Sequence, residues 1–78
     1  MEVFVGIYEH RHGLDARVFK TRARAEGWRA DIAIEWWRHE MPEHQDLPSD
    51  PQEAADFYFN RVSEIGEFFI IEACELEE

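Results

Sequence analysis

The start of a helix at residues 50–53 and its stop at residue 66 constrain this chain most. Asp50 has the residue type of an N-cap, Pro51 suits the first helical position, and Glu53 completes a capping box. Gly66 is the predicted C-terminal stop, because glycine readily adopts the left-handed conformation that ends helices. The sequence therefore predicts a helix over about residues 51–65, preceded by a loop over residues 42–50.

An earlier helix is predicted over about residues 22–41, with Thr21 as its N-cap and Pro42 as its stop. At 100° per residue, its apolar side chains form two stripes on nearly opposite sides. One stripe holds Ala25, Trp28, Ile32 and Trp36, and the other holds Ala23, Ala30, Ile34, Trp37 and Met41. One interpretation packs one tryptophan on a sheet and the other on the second helix. The alternative leaves one stripe exposed as a contact with a partner or a second copy.

Strand patterns occupy both ends of the chain. Residues 3–10 and 16–20 are predicted to form a hairpin around a turn at residues 12–15, and residues 67–76 a third strand. The run FFII at residues 68–71 lacks clean alternation, which predicts a strand covered on much of both faces, or a central one. The order β-β-α-α-β favours an α+β fold: a three-stranded antiparallel sheet, first strand central, with two helices packed on one face.

The length predicts a single domain over residues 1–78, and a chain this short buries only about 60% of its extended surface. That leaves little core for a deep catalytic pocket, so a binding protein is more expected than an enzyme. The lone Cys74 and the absence of a signal-peptide pattern predict a cytoplasmic protein, and no apolar run could span a membrane. No motif calls for a cofactor or a metal.

Charge is strongly segregated along the chain. The net charge is −10. Residues 1–39 hold seven basic and six acidic residues, a net of +1, whereas residues 40–78 hold one basic and twelve acidic residues, a net of −11. A field of this sign repels nucleic acid and anionic membranes and attracts basic proteins. Direct binding to nucleic acid is therefore not expected.

Acidic side chains follow one another on the outer arc of the second helix, an arc that has no basic residue of its own. Carboxylates on a rigid scaffold can take the place of phosphates in a groove that offers arginine and lysine. The alternative is a surface that only aids solubility. The predicted partner-binding residues are Asp46, Asp50, Glu53, Asp56, Phe57, Glu64, Glu67, Glu72 and Glu75, with Phe57 as an apolar anchor.

A competing hypothesis places a small metal-dependent or acid/base enzyme at the predicted hairpin. His10 and His12, two residues apart, would share a strand face and could bind a metal with a third ligand such as His39 or His44. The spacing matches no established metal motif. The other reading is a polar hairpin end with solvent-facing histidines.

Two segments carry a resemblance to a known kind of protein. The hairpin sequence YEHRHGLD (residues 8–15) and the helix end IEWWRHE (residues 34–40) look similar to small phage and prophage proteins of alphaproteobacteria, including a type I-C anti-CRISPR. Size and acidity also resemble other phage-encoded inhibitors, such as the uracil-DNA glycosylase inhibitor. Anti-CRISPRs share no common signature, so the resemblance assigns no functional residue.

The resemblance implies a stoichiometric inhibitor that occupies the DNA-binding surface of a Cascade-type complex. The partner would be a basic nucleic-acid-binding protein or complex in the cytoplasm of the host cell. The chain would act as a monomer or a weak homodimer. A homodimeric regulatory or structural protein joined through one tryptophan stripe stays open as a further alternative.

Overall fold

The computed structural model describes residues 1–43 and 45–77 and confirms the predicted order of elements. Two strands, β1 (Glu2–His10) and β2 (Gly13–Phe19), precede the helix α1 (Arg22–Glu40). The second helix, α2 (Pro51–Val62), runs into a 3-10 turn (Ser63–Ile65), and the strand β3 (Phe68–Glu75) follows. The α+β architecture with both helices on one face of the sheet is confirmed. None of the described helices is long and apolar enough to cross a membrane.

The sheet has the strand order β2-β1-β3, and both neighbouring pairs are antiparallel. Residues directly opposite in such pairs project their side chains to the same side of the sheet. Tyr8 lies between Asp15 and Phe69, and Gly6 lies between Arg17 and Ile71. These rows face the helices. The alternate rows face away from them.

The hairpin turn lies earlier than predicted. Arg11 and His12 form the connection, and Leu14 and Asp15 already belong to β2, opposite Glu9 and Tyr8. Gly13 makes this tight return possible with a φ of 135°, a region that L side chains rarely adopt. The prediction of a turn over residues 12–15 was therefore wrong by about two residues.

Both predicted helix starts are capped by side chains. The Thr21 Oγ1 accepts a hydrogen bond from the Arg24 N–H at 3.2 Å, and the Asp50 Oδ1 accepts one from the Gln52 N–H at 3.4 Å. Gly66 ends the second helical segment with a φ of 85°, as its position in the sequence predicted. The last predicted turn of α2 is a 3-10 turn rather than α-helix.

The core lies where α1, α2 and the helix-facing side of the sheet meet. Alanines allow the two helices to approach, and aromatic side chains fill the space between α2 and the sheet. Tyr58 and Phe59 contact each other edge to face at 5.1 Å between ring centroids. The buried cluster consists of Ala30, Ile32, Ala33, Trp37, Ala54, Ala55, Tyr58, Phe59 and Val62.

The apolar stripes of α1 do not sort into one buried and one exposed side. Trp37 is buried between the helices, and its Nε1 donates to the Gln45 carbonyl at 3.1 Å. Trp28 packs on the sheet, whereas Trp36 and Ile34 are exposed although they come from different stripes. The buried arc draws on both stripes because α1 contacts the sheet and α2 in two different directions.

The prediction for β3 was wrong in its packing. β3 is an edge strand, and only one of its faces is covered. Phe69 packs against Trp28 and Phe59 at ring-centroid distances of 5.2 and 5.6 Å. Phe68 and Ile70 project from the opposite side and are exposed. The unbroken apolar run therefore reflects two apolar faces, of which the helices cover one.

Candidate functional site

A mostly polar stripe runs along the outer side of α2 and of the 3-10 turn that continues it, and we call it the acidic α2 surface. It consists of Glu53, Asp56, Phe57, Asn60 and Glu64, all of them exposed. Their spacing of three or four residues places them on one helix face. The buried residues of α2 lie on the opposite side of the helix, so this stripe is presented to solvent; they are Ala54, Ala55, Tyr58, Phe59 and Val62.

The acidic α2 surface is not free of basic neighbours, which the sequence did not reveal. Arg29 comes from α1 and donates from its Nη1 to the Asp56 Oδ1 at 2.9 Å. The same guanidinium lies over the Phe59 ring at 5.4 Å from its centroid. Asp56 is thus partly neutralised. Glu53 and Glu64 have no ion pair with any basic residue of the described chain.

Two predicted acids precede this surface. Asp46 lies exposed in the loop that leads into α2, and Asp50 is the exposed N-cap. The helix N-terminus carries partial positive charge, and Asp50 accepts a hydrogen bond there. Its carboxylate therefore has a structural role in addition to contributing negative charge at this end of the surface.

The predicted acids of β3 do not lie on the same surface. Glu72 is opposite Val5 in the register and projects from the side of the sheet that the helices leave open. Glu75 accepts from the N-terminal amine of Met1 at 2.8 Å, which anchors the start of the chain to the end of β3. The sequence suggested grouping these acids with α2 because all of them lie in the strongly negative part of the chain, residues 40–78. In the fold, the sheet separates Glu72 from the helix.

Glu67 is the clearest departure from expectation, because its side chain is buried. Only 4% of the residue is exposed, so it cannot contribute to an accessible acidic surface. Its Oε2 accepts from the Arg11 Nε at 3.1 Å, and its Oε1 accepts from the Tyr8 hydroxyl at 3.3 Å. Arg11 also donates from Nη2 to the Glu40 Oε1 at 2.7 Å. This network joins the hairpin turn, the end of α1 and the start of β3.

Burial and the network raise the pKa of both tyrosines in this chain. Burial is the main cause of the raised pKa of Tyr8, which reaches about 12, and the Glu67 carboxylate adds to it by charge and by its hydrogen bond. Burial also raises the pKa of Tyr58, with further contributions from Tyr8 and Glu67. Both hydroxyls therefore stay protonated at neutral pH, and Tyr8 acts as a hydrogen-bond donor.

A cleft of about 430 Å³ lies beside this network, between the hairpin and the C-terminal half of α1. Its walls include Tyr8, Arg17, Trp28, Glu35, Trp36 and Glu67. Its charged groups are largely paired with one another, and no buried polar side-chain atom of the described residues lacks a hydrogen-bond partner. The cleft therefore leaves no buried polar group in need of a ligand.

The two hairpin histidines occupy different positions from those predicted. His10 ends β1, but His12 lies in the turn, so the two do not share a strand face. The His10 Nε2 lies 2.9 Å from the Asp15 Oδ2, and its Nδ1 accepts from the His12 backbone N–H at 3.3 Å. His39 contacts Trp36 instead, and His44 lies outside the described residues. Across residues 1–43 and 45–77, no three potential ligands are placed to hold a metal ion.

Sequence reasoning missed the Tyr8–Glu67–Arg11–Glu40 network. One signal was present: Glu67 directly precedes β3 and is two residues from Phe69, so in extended backbone both side chains project to the same side. This spacing predicts that Glu67 is buried only once Phe69 is known to face the helices. Arg11 carried no comparable signal, because a turn residue has no periodic face.

Comparisons of the chain with protein-family models, with curated proteins and with solved structures found no match. The placement of these side chains is therefore the basis for a functional proposal.

Proposed function

We propose that this protein is a stoichiometric acidic inhibitor, similar in action to an anti-CRISPR, that binds a basic nucleic-acid-binding surface such as that of a Cascade complex and blocks DNA binding. The observation that carries the proposal is the acidic α2 surface. It is exposed along its whole length, and its two terminal carboxylates, on Glu53 and Glu64, lack an intramolecular ion pair among the described residues.

The dimensions of this surface suit a groove that holds nucleic acid. Eleven residues separate Glu53 from Glu64, which corresponds to about 16 Å along a helix axis. One strand of DNA advances about 3.4 Å per phosphate, so the surface is as long as roughly five nucleotides. Arginines that line such a groove form charge-assisted hydrogen bonds with carboxylates as they do with phosphates.

Phe57 supplies an apolar contact within the same surface. Its side chain is exposed between Glu53 and Glu64 on the helix face. Interfaces commonly combine a desolvated aromatic residue at the centre with a charged rim around it. The aromatic side chain then contributes most of the affinity. The rim charges then set the rate of association and its dependence on salt.

The test is a charge reversal on α2. In the variant Glu53→Lys/Asp56→Lys/Glu64→Lys, we expect inhibition of DNA binding by a type I-C Cascade complex to weaken by about 100-fold or more, as lysines then face the partner's basic groups. A mobility-shift titration of the complex on DNA measures this. For the unaltered protein, inhibition should also weaken as the salt concentration rises.

A matched control changes the net charge equally at another site. Glu2, Asp31 and Glu77 are exposed and lie outside the acidic α2 surface, so their replacement by lysine should leave inhibition nearly intact. Equal losses in both triple variants would mean that net charge alone matters, which would remove α2 as the site. No inhibition by the unaltered protein would reject the Cascade form of the proposal.

A further inference from the structure

The sheet has a second apolar face on the side away from the helices, and we call it the open sheet face. The register places its side chains in rows across the three strands, for example Val18–Val5–Glu72 and Ala16–Ile7–Ile70. Its members in the strands are Val3, Val5, Ile7, Glu9, Leu14, Ala16, Val18, Phe68, Ile70, Glu72 and Cys74. Glu9 and Glu72 are the only charged residues among them.

Large apolar side chains on the two edge strands of this face are in contact with solvent, whereas Val3 on the central strand is buried. Val18 is 67% exposed, Leu14 61% and Ile70 51%. Single exposed apolar residues are common, but a contiguous patch across three strands usually marks an interface. β-branched residues make up much of the patch, and these pack well against a second sheet because their side chains are stiff.

The chain exposes more surface than a compact monomer of its mass. The accessible surface is 5638 Å², whereas about 5000 Å² is expected for a folded monomer of this mass. The molecule is also elongated, with principal extents of 49 × 26 × 15 Å, which raises the exposed surface of the whole chain. The radius of gyration is 13.3 Å, against about 11.5 Å for a compact domain of 78 residues.

The charge of this face favours a second copy over a basic partner. A two-fold interface brings the same patch of both copies together, so charges near its centre would repel. On the central strand, Val5 and Ile7 place no charge at the middle of this face; Glu9 lies at the hairpin end, and Glu72 lies beside Val5 on the edge strand β3. A basic protein would find its complement on the acidic α2 surface, across the sheet, and would gain no ion pairs from the centre of this face.

We infer that the protein is a homodimer in which two open sheet faces pack against each other. Aligned sheets pack about 10 Å apart, which produces four layers in the order helix, sheet, sheet, helix. An interface of standard size would bury about 800 Å² of each copy. Both acidic α2 surfaces stay on the outside of the dimer, so this inference does not depend on the proposed inhibitory function.

Molar mass in solution tests the inference. Sedimentation equilibrium or light scattering should give twice the 9.3 kDa chain mass at micromolar concentration. The variant Val18→Lys/Ile70→Lys places an ammonium on each of two strands of the open sheet face. We expect its dimer dissociation constant to rise by about 100-fold or more, because those charges would be desolvated in the interface. Both side chains are more than half exposed in the single chain, so folding should persist, and circular dichroism checks it.

The control is Ile34→Lys, which makes the same chemical change at an exposed apolar residue of α1. We expect it to remain dimeric, as should the triple charge reversal on α2. A dimer that Ile34→Lys dissociates and Val18→Lys/Ile70→Lys does not would place the interface on the helices and overturn the inference. A strict monomer of the unaltered protein at several hundred micromolar would also overturn it.

Cys74 provides an independent readout because it is the one cysteine of the chain and lies on the open sheet face opposite Val3. Its rate of alkylation should fall as protein concentration rises through the dimer dissociation constant. In Val18→Lys/Ile70→Lys, the rate should not depend on concentration over that range. A concentration-independent rate in a dimeric unaltered protein would contradict packing through this face.

Discussion

The two faces of the sheet share the same three strands but differ in what their side chains do. The helix-facing side carries the aromatic residues Phe4, Tyr8, Phe19 and Phe69 and a buried carboxylate network. The open sheet face carries mainly aliphatic residues, and none of the described helices packs on it. An apolar face of a sheet therefore need not belong to the core of the single chain.

Removing a large side chain should lower the free energy of unfolding far more in the core between the helices and the sheet than on the open sheet face. Tyr58 is 1% exposed in the core, and we expect Tyr58→Ala to lower the free energy of unfolding by about 3–5 kcal/mol because it leaves a cavity. Phe68 is an aromatic residue of the open sheet face, and Phe68→Ala should cost less than about 1.5 kcal/mol in a single chain. Urea denaturation of both variants, made in the Val18→Lys/Ile70→Lys background to hold the chain monomeric, measures the difference. Equal losses would mean that the open face contributes to the monomer core.

Replacing glycine by alanine should change the free energy of unfolding in opposite directions at two positions, Gly6 and Gly27. A Cβ at Gly6 would lie 3.0 Å from the Trp28 Cε3 and 3.3 Å from the Phe69 Cζ, so we expect Gly6→Ala to cost about 1–3 kcal/mol of unfolding free energy. Gly27 lies within α1 and has nothing within 4 Å of its added Cβ. Gly27→Ala should stabilise the protein by about 0.5–1 kcal/mol, since alanine favours helix. Thermal unfolding separates the two; stabilisation by Gly6→Ala would disprove the close packing of α1 on the sheet.

High pH should weaken the helix-facing side through its tyrosines. A pKa raised in the folded state means that the neutral hydroxyl is favoured by folding. Its contribution to stability is therefore complete below pH 10.0, the ordinary pKa, and is lost as pH rises towards about 12 for Tyr8. Because the chain has two tyrosines, ultraviolet absorbance should detect almost no tyrosinate at pH 10.0.

The matched variant for that titration is Tyr8→Phe, which removes the hydroxyl that bonds to Glu67. Its free energy of unfolding should depend less on pH above 10.0 than that of the unaltered protein. The pH-dependent part of this effect is confined to alkaline solution and does not contribute at neutral pH. Ordinary tyrosine titration in the folded protein would contradict the burial of both hydroxyls.

Much of the fold could be predicted from local sequence. The caps Thr21, Asp50 and Gly66 bound both helices because each acts through hydrogen bonds or backbone angles within a few residues. The order of elements along the chain then left only a few simple strand orders for the sheet. The hairpin turn was misplaced because the glycine that permits it, Gly13, can occupy several positions of a turn.

The candidate site could be predicted only in part. The stripe from Glu53 to Glu64 follows from helix periodicity, so its exposure was foreseeable. The partners Arg29 and Arg11 were not, because each lies more than 25 residues from the carboxylate it contacts. Segregated charge along a chain does not imply segregated charge in space.

Residue types and short-range spacing specify the helix boundaries, the alternation of the strands and the acidic face of α2. Tertiary packing decides that Glu67 is buried, that Trp36 and Trp37 have different environments, and which of two apolar sheet faces the helices cover. The physical reason is the range of the interactions. Caps and periodicity act within one or two turns of backbone, whereas burial and ion pairing depend on surfaces brought together from distant parts of the chain.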